Sequence, residues 1–306
     1  MPRHQAMAVP GALGAAIVTE GLAKAFGDVR ALEDLSLRVE TGEVFGFLGP
    51  NGAGKTTTIR LLLGLLAPGG GRAAVLGQAV RTGGGPWRAD VGYLPGEVAF
   101  WPHLTGRETL AFLARLSRRP PDDRAALLER LGLGDDALRR PVRTYSDGMK
   151  QKLGLVQALQ CRPRLALLDE PTKGLDPLVQ QAFYDIIADI RGQGTTVFVS
   201  SHVLGEVERL CDRVAMLRRG RLVFAGDVAQ VQRTARRRVT AVFTGDVDRA
   251  ALAHFGDVVA GAPREITLLV AQAELPALVA RLGMLPLADL VVEAPSLEEA
   301  FLEHYR

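Results

Sequence analysis

The sequence has few cysteines, few lysines and little net charge, and each shortage argues against a class of protein. Its 306 residues include two cysteines, Cys161 and Cys211, whose number and spacing fit neither a disulfide framework nor a metal site. We therefore expect two reduced, partly buried thiols in a reducing compartment. The net charge of +3 is too small to predict a nucleic-acid partner, and we interpret the excess of arginine, 32 of 37 basic residues, as coding bias.

Long apolar runs are also missing. A membrane-spanning helix needs about 20 mostly apolar residues, whereas the best candidate, residues 275–292, is interrupted by two prolines and two charged residues. Residues 1–16 lack the apolar density of a signal peptide, so we expect a flexible N-terminal extension there. These absences predict a soluble, cytoplasmic chain, long enough for one large α/β domain and a smaller one.

A glycine-rich segment at residues 49–57 has the complete phosphate-binding form G-x-x-x-x-G-K-[ST]. The glycines let several backbone N–H groups point at one anion, and an apolar run before the segment and a helical pattern after it supply the expected strand and helix. Lys55 would add a charge at the phosphates, and the Thr56 hydroxyl would ligate Mg²⁺. The sequence therefore predicts binding of a nucleoside triphosphate. The residues expected to hold it are Gly49, Pro50, Asn51, Gly52, Ala53, Gly54, Lys55, Thr56 and Thr57.

Two carboxylates follow a predicted buried strand at 165–168. In a fold built on a phosphate-binding loop, the first acid, Asp169, would hold the Mg²⁺ shell with Thr56, and the second, Glu170, would stand where water attacks. Because side chains alternate along a strand, the two acids can serve different tasks. Hydrolysis of the bound nucleotide is therefore expected.

The remaining pattern divides the chain into regions of different character. Alternation and turn residues predict antiparallel strands within 17–48, helices within 105–160 and alternating strands and helices within 164–225. From residue 233 onward, 8 arginines face 10 acidic residues, which disfavours a nucleic-acid-binding tail. The predicted elements of this last part are strands at 239–243, near 266–270 and near 287–293, a short helix after the first strand, a helix near 273–282 and a helix from Ser296.

Three further segments carry a family resemblance. Residues 145–151 read Tyr-Ser-Asp-Gly-Met-Lys-Gln, residues 173–176 read Lys-Gly-Leu-Asp, and Ser201-His202 follows a predicted strand. In this order after the phosphate-binding loop, they resemble the signature sequence, D-loop and switch histidine of ATP-binding cassette (ABC) ATPases. The resemblance covers residues 17–225.

The resemblance implies an α/β fold: a P-loop NTPase of the ABC nucleotide-binding type, with a RecA-like core, an antiparallel β subdomain and a helical subdomain. The ATP-binding domain would span residues 17–228, with the helical subdomain at about 97–160. Residues 229–306 would form a small C-terminal α/β accessory domain, which we interpret as a stability or dimerisation module.

The resemblance also implies roles for individual residues. Ser146 and the backbone N–H of Gly148 would donate to the γ-phosphate of an ATP held by the other protomer, so that a homodimer, or a pair of related ATPases, sandwiches two ATP. Asp176 would lie at the dimer seam. Glu170 would polarise the attacking water, and His202 would bridge the γ-phosphate and the catalytic region.

Four positions leave alternatives open. Phe26 lies where the family stacks an aromatic ring on adenine, but a core phenylalanine is the alternative. Gly96 stands where the family has a glutamine that ligates Mg²⁺, and Glu97 beside it is a hypothetical substitute. Asp147, in the signature, is tolerable near a γ-phosphate only if its carboxylate faces outward.

The segments 102–106 and 295–302 resemble those of ATPase subunits of ABC-2 type exporters, which include daunorubicin-resistance-like efflux systems of bacteria. This implies export of a drug, antibiotic or other hydrophobic compound through a separate membrane permease, with the ATPase peripheral on the cytoplasmic face. The permease would dock on residues 92–120, where Trp101 is either a docking or a core residue. The alternative function is a non-transport ABC ATPase that acts on a soluble assembly partner.

Overall fold

The computed structural model describes residues 14–117, 119–234, 236–248 and 250–293. It divides the chain into two compact units. The first ends at Ala225, and the second begins at Gly226. Most of the predicted extension at 1–16 and the predicted helix from Ser296 lie outside the described residues. Ala15, however, already belongs to the first strand, because it pairs with Glu40.

The first unit contains the predicted succession of strands and helices. Its strands are β1 (Ala15–Phe26), β2 (Val29–Glu40), β3 (Val44–Leu48), β4 (Gly70–Val75), β5 (Gln78–Ala79), β6 (Val91–Leu94), β7 (Leu165–Asp169), β8 (Thr196–Ser201), β9 (Arg213–Arg218) and β10 (Arg221–Asp227), the last of which runs into the second unit. Its helices are α1 (Lys55–Leu62), α2 (Gly106–Ser117), α3 (Arg124–Arg130), α4 (Asp135–Leu138), α5 (Asp147–Leu159), α6 (Pro177–Gly192) and α7 (Leu204–Leu210).

An antiparallel sheet with the order β2-β1-β4-β5 forms one layer of this unit. Strands β1 and β2 are joined by a two-residue turn, in which Gly27 takes a φ of +57° that glycine adopts without steric cost. The inward side chains of this sheet share one apolar core with the central sheet, including Ile17, Leu35 and Phe47. The antiparallel layer is thereby packed against the layer that carries the phosphate-binding loop.

The central sheet has the strand order β10-β9-β3-β8-β7-β6, and the pairs from β9 through β3, β8 and β7 to β6 are parallel. Every residue of β3, β7 and β8 is buried, as expected for parallel strands covered on both faces. Helix α1 shares a core with Phe45 and Phe47, whereas a Cβ at Gly46 would meet Val207 of α7 at 2.7 Å. Since side chains alternate along a strand, α1 and α7 cover opposite faces.

The second unit is built on its own antiparallel sheet. Its elements are α8 (Val228–Thr234), β11 (Arg237–Phe243), β12 (Gly256–Ala262), β13 (Glu265–Val270), α9 (Leu275–Leu282) and β14 (Leu287–Glu293), and the strand order is β12-β13-β11-β14. Leu278 and Leu282 of α9 pack with alternate residues of β11 and β13 in a separate core. This unit is therefore the expected small α/β appendage.

The element predictions are confirmed in most places and incomplete in four. Strands β5, β6 and β12 and helix α8 were not expected. Strand β12 is rich in glycine and alanine and is mostly exposed at the end of its sheet, so it lacks the apolar alternation that indicates a strand. None of the helices in the described part of the chain has the length and hydrophobicity that a bilayer crossing requires.

Candidate nucleotide-binding site

The phosphate-binding loop runs from the end of β3 into α1. Gly52 and Gly54 adopt φ values of +78° and +111°, and a Cβ at Gly54 would approach the Ala31 carbonyl to 2.4 Å. Only glycine fits there without a backbone shift. Because α1 begins at Lys55, its first N–H groups are at the loop and have no partner within the helix. The loop thus presents the anion-binding geometry that its sequence predicts.

The Lys55 side chain folds back over this loop. Its ammonium Nζ donates to the Gly49 carbonyl at 2.6 Å and forms an ion pair with Glu170 Oε1 at 3.2 Å. The side chain is buried, so its charge is held at the loop by acceptors on two sides. Gly49 is a support for Lys55 rather than part of the lining of the adjacent cleft.

Asp169 and Thr56 come together as predicted for a metal site. The Thr56 hydroxyl donates to Asp169 Oδ2 at 2.7 Å, and the Ser200 hydroxyl donates to Asp169 Oδ1. Asp169 is fully buried, and hydroxyl and carboxylate oxygens are the ligand types that Mg²⁺ binds beside a nucleotide. This donor set fits Mg²⁺ held by Thr56 and by Asp169, with the remaining positions left to phosphate oxygens and water.

Glu170 and His202 form the second pair of the site. The His202 Nδ1 and Glu170 Oε2 atoms are 2.7 Å apart, and because a carboxylate only accepts, Nδ1–H is the donor when Glu170 is ionised. Glu170 takes a left-handed φ of +51°, and its N–H donates to the Ser200 carbonyl and hydroxyl, both at 3.1 Å. These bonds fix the carboxylate between Lys55 and His202.

A cleft of about 700 Å³ is lined by Lys55, Asp169 and Glu170. Phe26 lines it with half of its surface exposed, which excludes the alternative that Phe26 is a core residue. Tyr93 lines it beside Arg60, and burial raises the pKa of Tyr93, with a further contribution from the Asp169 carboxylate. From the predicted set, the cleft is lined by Phe26, Pro50, Asn51, Gly52, Ala53, Gly54, Lys55, Thr56, Thr57, Asp169 and Glu170.

Besides Gly49 and His202, three predicted residues, which belong to the signature and the D-loop, are not part of the lining of this cleft. Ser146 caps α5 by accepting from the Met149 N–H at 3.2 Å, and Asp176 caps α6 by accepting from the Val179 N–H at 3.0 Å. A Cβ at Gly148 would lie 2.7 Å from the Gly174 carbonyl, so α5 begins in close contact with the D-loop. The structure therefore joins the signature to the D-loop, but not to the phosphate-binding loop of the same chain.

The structure shows what surrounds the residues at which the sequence departs from the family pattern. Gly96 lies against Asp169, because a Cβ there would be 3.1 Å from Asp169 Oδ2. Glu97 is exposed and lines the cleft. The Asp147 carboxylate is 96% exposed and pairs with Lys150 at 3.0 Å, so it faces outward as a working signature requires.

Sequence reasoning missed several residues of the site. Ser200 contacts both Asp169 and Glu170, and its place at the carboxyl end of β8 beside β7 was the available signal. Lys173, to which the sequence suggested no role, is exposed and lines the cleft. Gln151 of α5 donates to the carbonyls of Glu170 and Pro171, at 3.1 and 2.8 Å, and so links α5 to the segment that follows β7.

The fold and the loop together define a P-loop nucleotide-binding domain, and comparison with known proteins narrows the class. A family model described as "ABC transporter" matches residues 32–173, and one described as "EvrA-like ABC transporter, C-terminal domain" matches residues 235–293. A solved structure titled "Structure of ATP binding subunit of ABC transporter" superimposes with a TM-score of 0.65 and 30% identity, covering 71% of this chain and 92% of that one. The predicted fold class is confirmed.

Curated relatives agree with this result. The daunorubicin/doxorubicin resistance ATP-binding protein DrrA of Streptomyces peucetius is 38% identical over 71% of this chain and 67% of its own length. A fluoroquinolones export ATP-binding protein of Mycobacterium tuberculosis is 38% identical over 74% of this chain and 75% of its own length. An uncharacterized relative from Synechocystis is 41% identical over 66% of this chain, which spans 58% of that protein. The chain belongs to the family of ABC transporter ATP-binding proteins.

Proposed function

We propose that this chain is the ATP-binding and hydrolysing subunit of an ABC-2 type exporter. The observation that carries the proposal is the position of Glu170 between Lys55 and His202, next to the buried Asp169–Thr56 pair. Phosphate binding, metal binding and water activation need these groups within one small space, and the cleft supplies it.

In this function the phosphate-binding loop cradles the β- and γ-phosphates. Lys55 exchanges its ion pair with Glu170 for a phosphate oxygen, which releases the Glu170 carboxylate to accept a proton from water. Thr56 and Asp169 would hold Mg²⁺, which would supply positive charge to neutralise the phosphate oxygens. Phe26, exposed at the cleft, offers its ring to the adenine base.

Glu170 polarises the attacking water, and His202 holds Glu170 in place. With Nδ1–H donated to Glu170, the Nε2 atom of the same ring donates to a phosphate oxygen when the imidazole is protonated, because only then do both ring nitrogens carry hydrogen. The left-handed backbone of Glu170 and the two bonds that its N–H donates to Ser200 fix the direction of the carboxylate, so little reorganisation is needed during the reaction.

A second copy of the chain, or a related ATPase, completes each site. Ser146 and Gly148 begin α5, where free N–H groups and the helix dipole favour an anion, and they lie outside the cleft of their own chain. Two chains in opposite orientation therefore sandwich two ATP, with Asp176 near the seam. ATP binding closes the pair and hydrolysis opens it.

The motion is transmitted to a separate permease at the cytoplasmic face of the membrane. The relatives named for daunorubicin resistance and fluoroquinolone export support a drug, an antibiotic or another hydrophobic compound as cargo. Trp101 and Phe112 pack edge to face at 5.1 Å with about two fifths of each surface exposed, which suits an apolar partner. The second unit serves as the accessory domain.

The test is recovery of the partner by a trapped ATPase. Tagged Glu170→Gln protein binds ATP without hydrolysing it, so it retains its closed complex when purified from detergent-solubilised native membranes with Mg²⁺ and ATP. Mass spectrometry should find a multi-span protein in stoichiometric amount, and Lys55→Ala protein should recover much less. Recovery of soluble partners alone would overturn the exporter assignment in favour of a non-transport ATPase.

A further inference from the structure

Glu206 on α7 belongs to no function assigned above, yet its carboxylate has two buried hydroxyl partners. Oε1 accepts from Thr172 Oγ1, and Oε2 accepts from Ser201 Oγ at 2.7 Å. Thr172 and Ser201 are both buried. Hydrogen bonds to an ionised carboxylate are about twice as strong as bonds between neutral groups. Glu206 therefore ties together two segments that are about 30 residues apart in the chain.

These segments carry the two groups at the reacting end of the site. Thr172 lies two residues after Glu170, with Pro171 between them, and Ser201 directly precedes His202. The Ser201 carbonyl also accepts from the Gly49 N–H at 3.3 Å, at the start of the phosphate-binding loop. The Glu206 carboxylate thus adds a side-chain link, beyond the pairing of β7 with β8, between the backbones that present Glu170 and His202.

The environment of Glu206 argues against a simple surface ion pair. The nearest cation on its helix, Arg209, stacks over the Tyr184 ring at 4.6 Å and donates to Gln181. Packing of α7 on the sheet is supplied by buried Val207, which lies over Gly46 of β3. The helix therefore has its own apolar anchor, and the carboxylate is available to hold the two hydroxyls.

We infer that Glu206 is a positioning residue for ATP hydrolysis: it keeps His202 Nδ1 within 2.7 Å of Glu170 Oε2 by joining Thr172 to Ser201. This inference rests on the hydrolysis proposed above. It makes the distance between the two groups depend on a residue that touches neither nucleotide nor water.

The experiment compares Glu206→Ala with Glu206→Gln and with Glu208→Ala, a matched acid-to-alanine change on the same helix. Steady-state ATPase assays should give a kcat for Glu206→Ala about 10- to 100-fold below wild type, because a displacement of about 1 Å can cost on the order of 100-fold. The KM for MgATP should stay within about twofold, since the phosphate-binding loop is unchanged. Glu206→Gln should recover most of kcat, because its amide can bond both hydroxyls.

Thermal unfolding and ATP binding, measured with a fluorescent ATP analogue, separate positioning from folding. If Glu206→Ala lowers stability but retains the kcat of Glu208→Ala per folded, ATP-binding molecule, the inference is wrong. It is equally overturned if Glu206→Gln is as impaired as Glu206→Ala.

A second readout separates this inference from the proposed function. Side-chain ¹⁵N spectra, with the His202 signals assigned by their loss in His202→Ala, report the bond at Nδ1 without any turnover. The Nδ1 resonance should shift in Glu206→Ala and stay in place in Glu208→Ala. Absence of ATP hydrolysis in wild-type protein would overturn the proposed function, whereas an unchanged His202 spectrum in Glu206→Ala would overturn the positioning role alone.

Discussion

The two halves of the ATPase machinery differ in how far one chain completes them. Around the phosphate-binding loop, Lys55, Asp169, Glu170 and His202 already contact each other or a shared partner. In the signature half, Ser146 and its neighbours only cap helices and pack on the D-loop. The fold of one chain therefore assembles the first half, whereas the second half awaits the phosphate that the proposed second chain would supply.

The largest expected effect is on the first half. Lys55→Ala removes the cation that bridges the loop carbonyls and Glu170, so MgATP binding should weaken by about 100-fold or more, on the order of 3 kcal/mol. Isothermal calorimetry measures this directly, with Lys152→Ala as the lysine control. Unchanged MgATP binding in Lys55→Ala would contradict this division, because the residues around the phosphate-binding loop would then not be the ones that bind the nucleotide.

Next in size is a change in the signature half. Ser146→Arg places a bulky cation at the start of α5, so hydrolysis should fall by about 50-fold or more, while a single chain still binds ATP within about twofold of wild type. Asp147→Ala, at the neighbouring exposed position, is the control and should retain activity. Loss of ATP binding in Ser146→Arg would show that the signature acts on the nucleotide of its own chain.

Gly148→Ala should give a moderate effect on folding. The added Cβ would stand 2.7 Å from the Gly174 carbonyl, and overpacking of this kind typically costs about 1–3 kcal/mol. Urea unfolding should therefore show a lower free energy of unfolding. Gly192→Ala, where a Cβ meets open space in the last turn of α6, should change it by about 1 kcal/mol or less. Equal effects of the two changes would contradict the close contact between signature and D-loop.

The smallest expected effect concerns Glu97. If its carboxylate substitutes for the side chain missing at Gly96, Glu97→Ala should raise the Mg²⁺ concentration for half-maximal ATPase activity on the order of 10-fold. A magnesium titration at fixed ATP measures this, with Glu129→Ala as a distant control. An unchanged Mg²⁺ dependence would show that Glu97 does not take part in binding Mg²⁺.

The same division explains what could be read from the sequence. The phosphate-binding loop was predictable because glycine positions and the Lys-Thr pair fix its geometry within nine residues. The position of Asp169 and Glu170 at the end of a buried strand was predictable because the apolar run at residues 165–168 stops directly before them. The outward orientation of Asp147 could be stated only as a condition, which the pairing with Lys150 fulfils.

Contacts between distant segments were not predictable. The hydroxyl of Ser200 bonds Asp169, and Thr172 and Ser201 meet at Glu206, because parallel β7 and β8 place their carboxyl ends side by side. No local pattern states which of several polar residues at these ends will pair. Strand β12 was missed for a different reason, since its exposed glycines and alanines take their extended form from pairing with β13.

In the proposed dimer, the signature half acts on the nucleotide of a second chain. Sedimentation velocity of Glu170→Gln protein, with and without Mg²⁺ and ATP, tests it most directly. We predict a monomer that becomes a dimer with two bound ATP, and a monomer with bound ATP when Ser146→Arg is added. A Glu170→Gln protein that saturates with ATP and stays monomeric at concentrations well above the chain concentration in cells would contradict the claim.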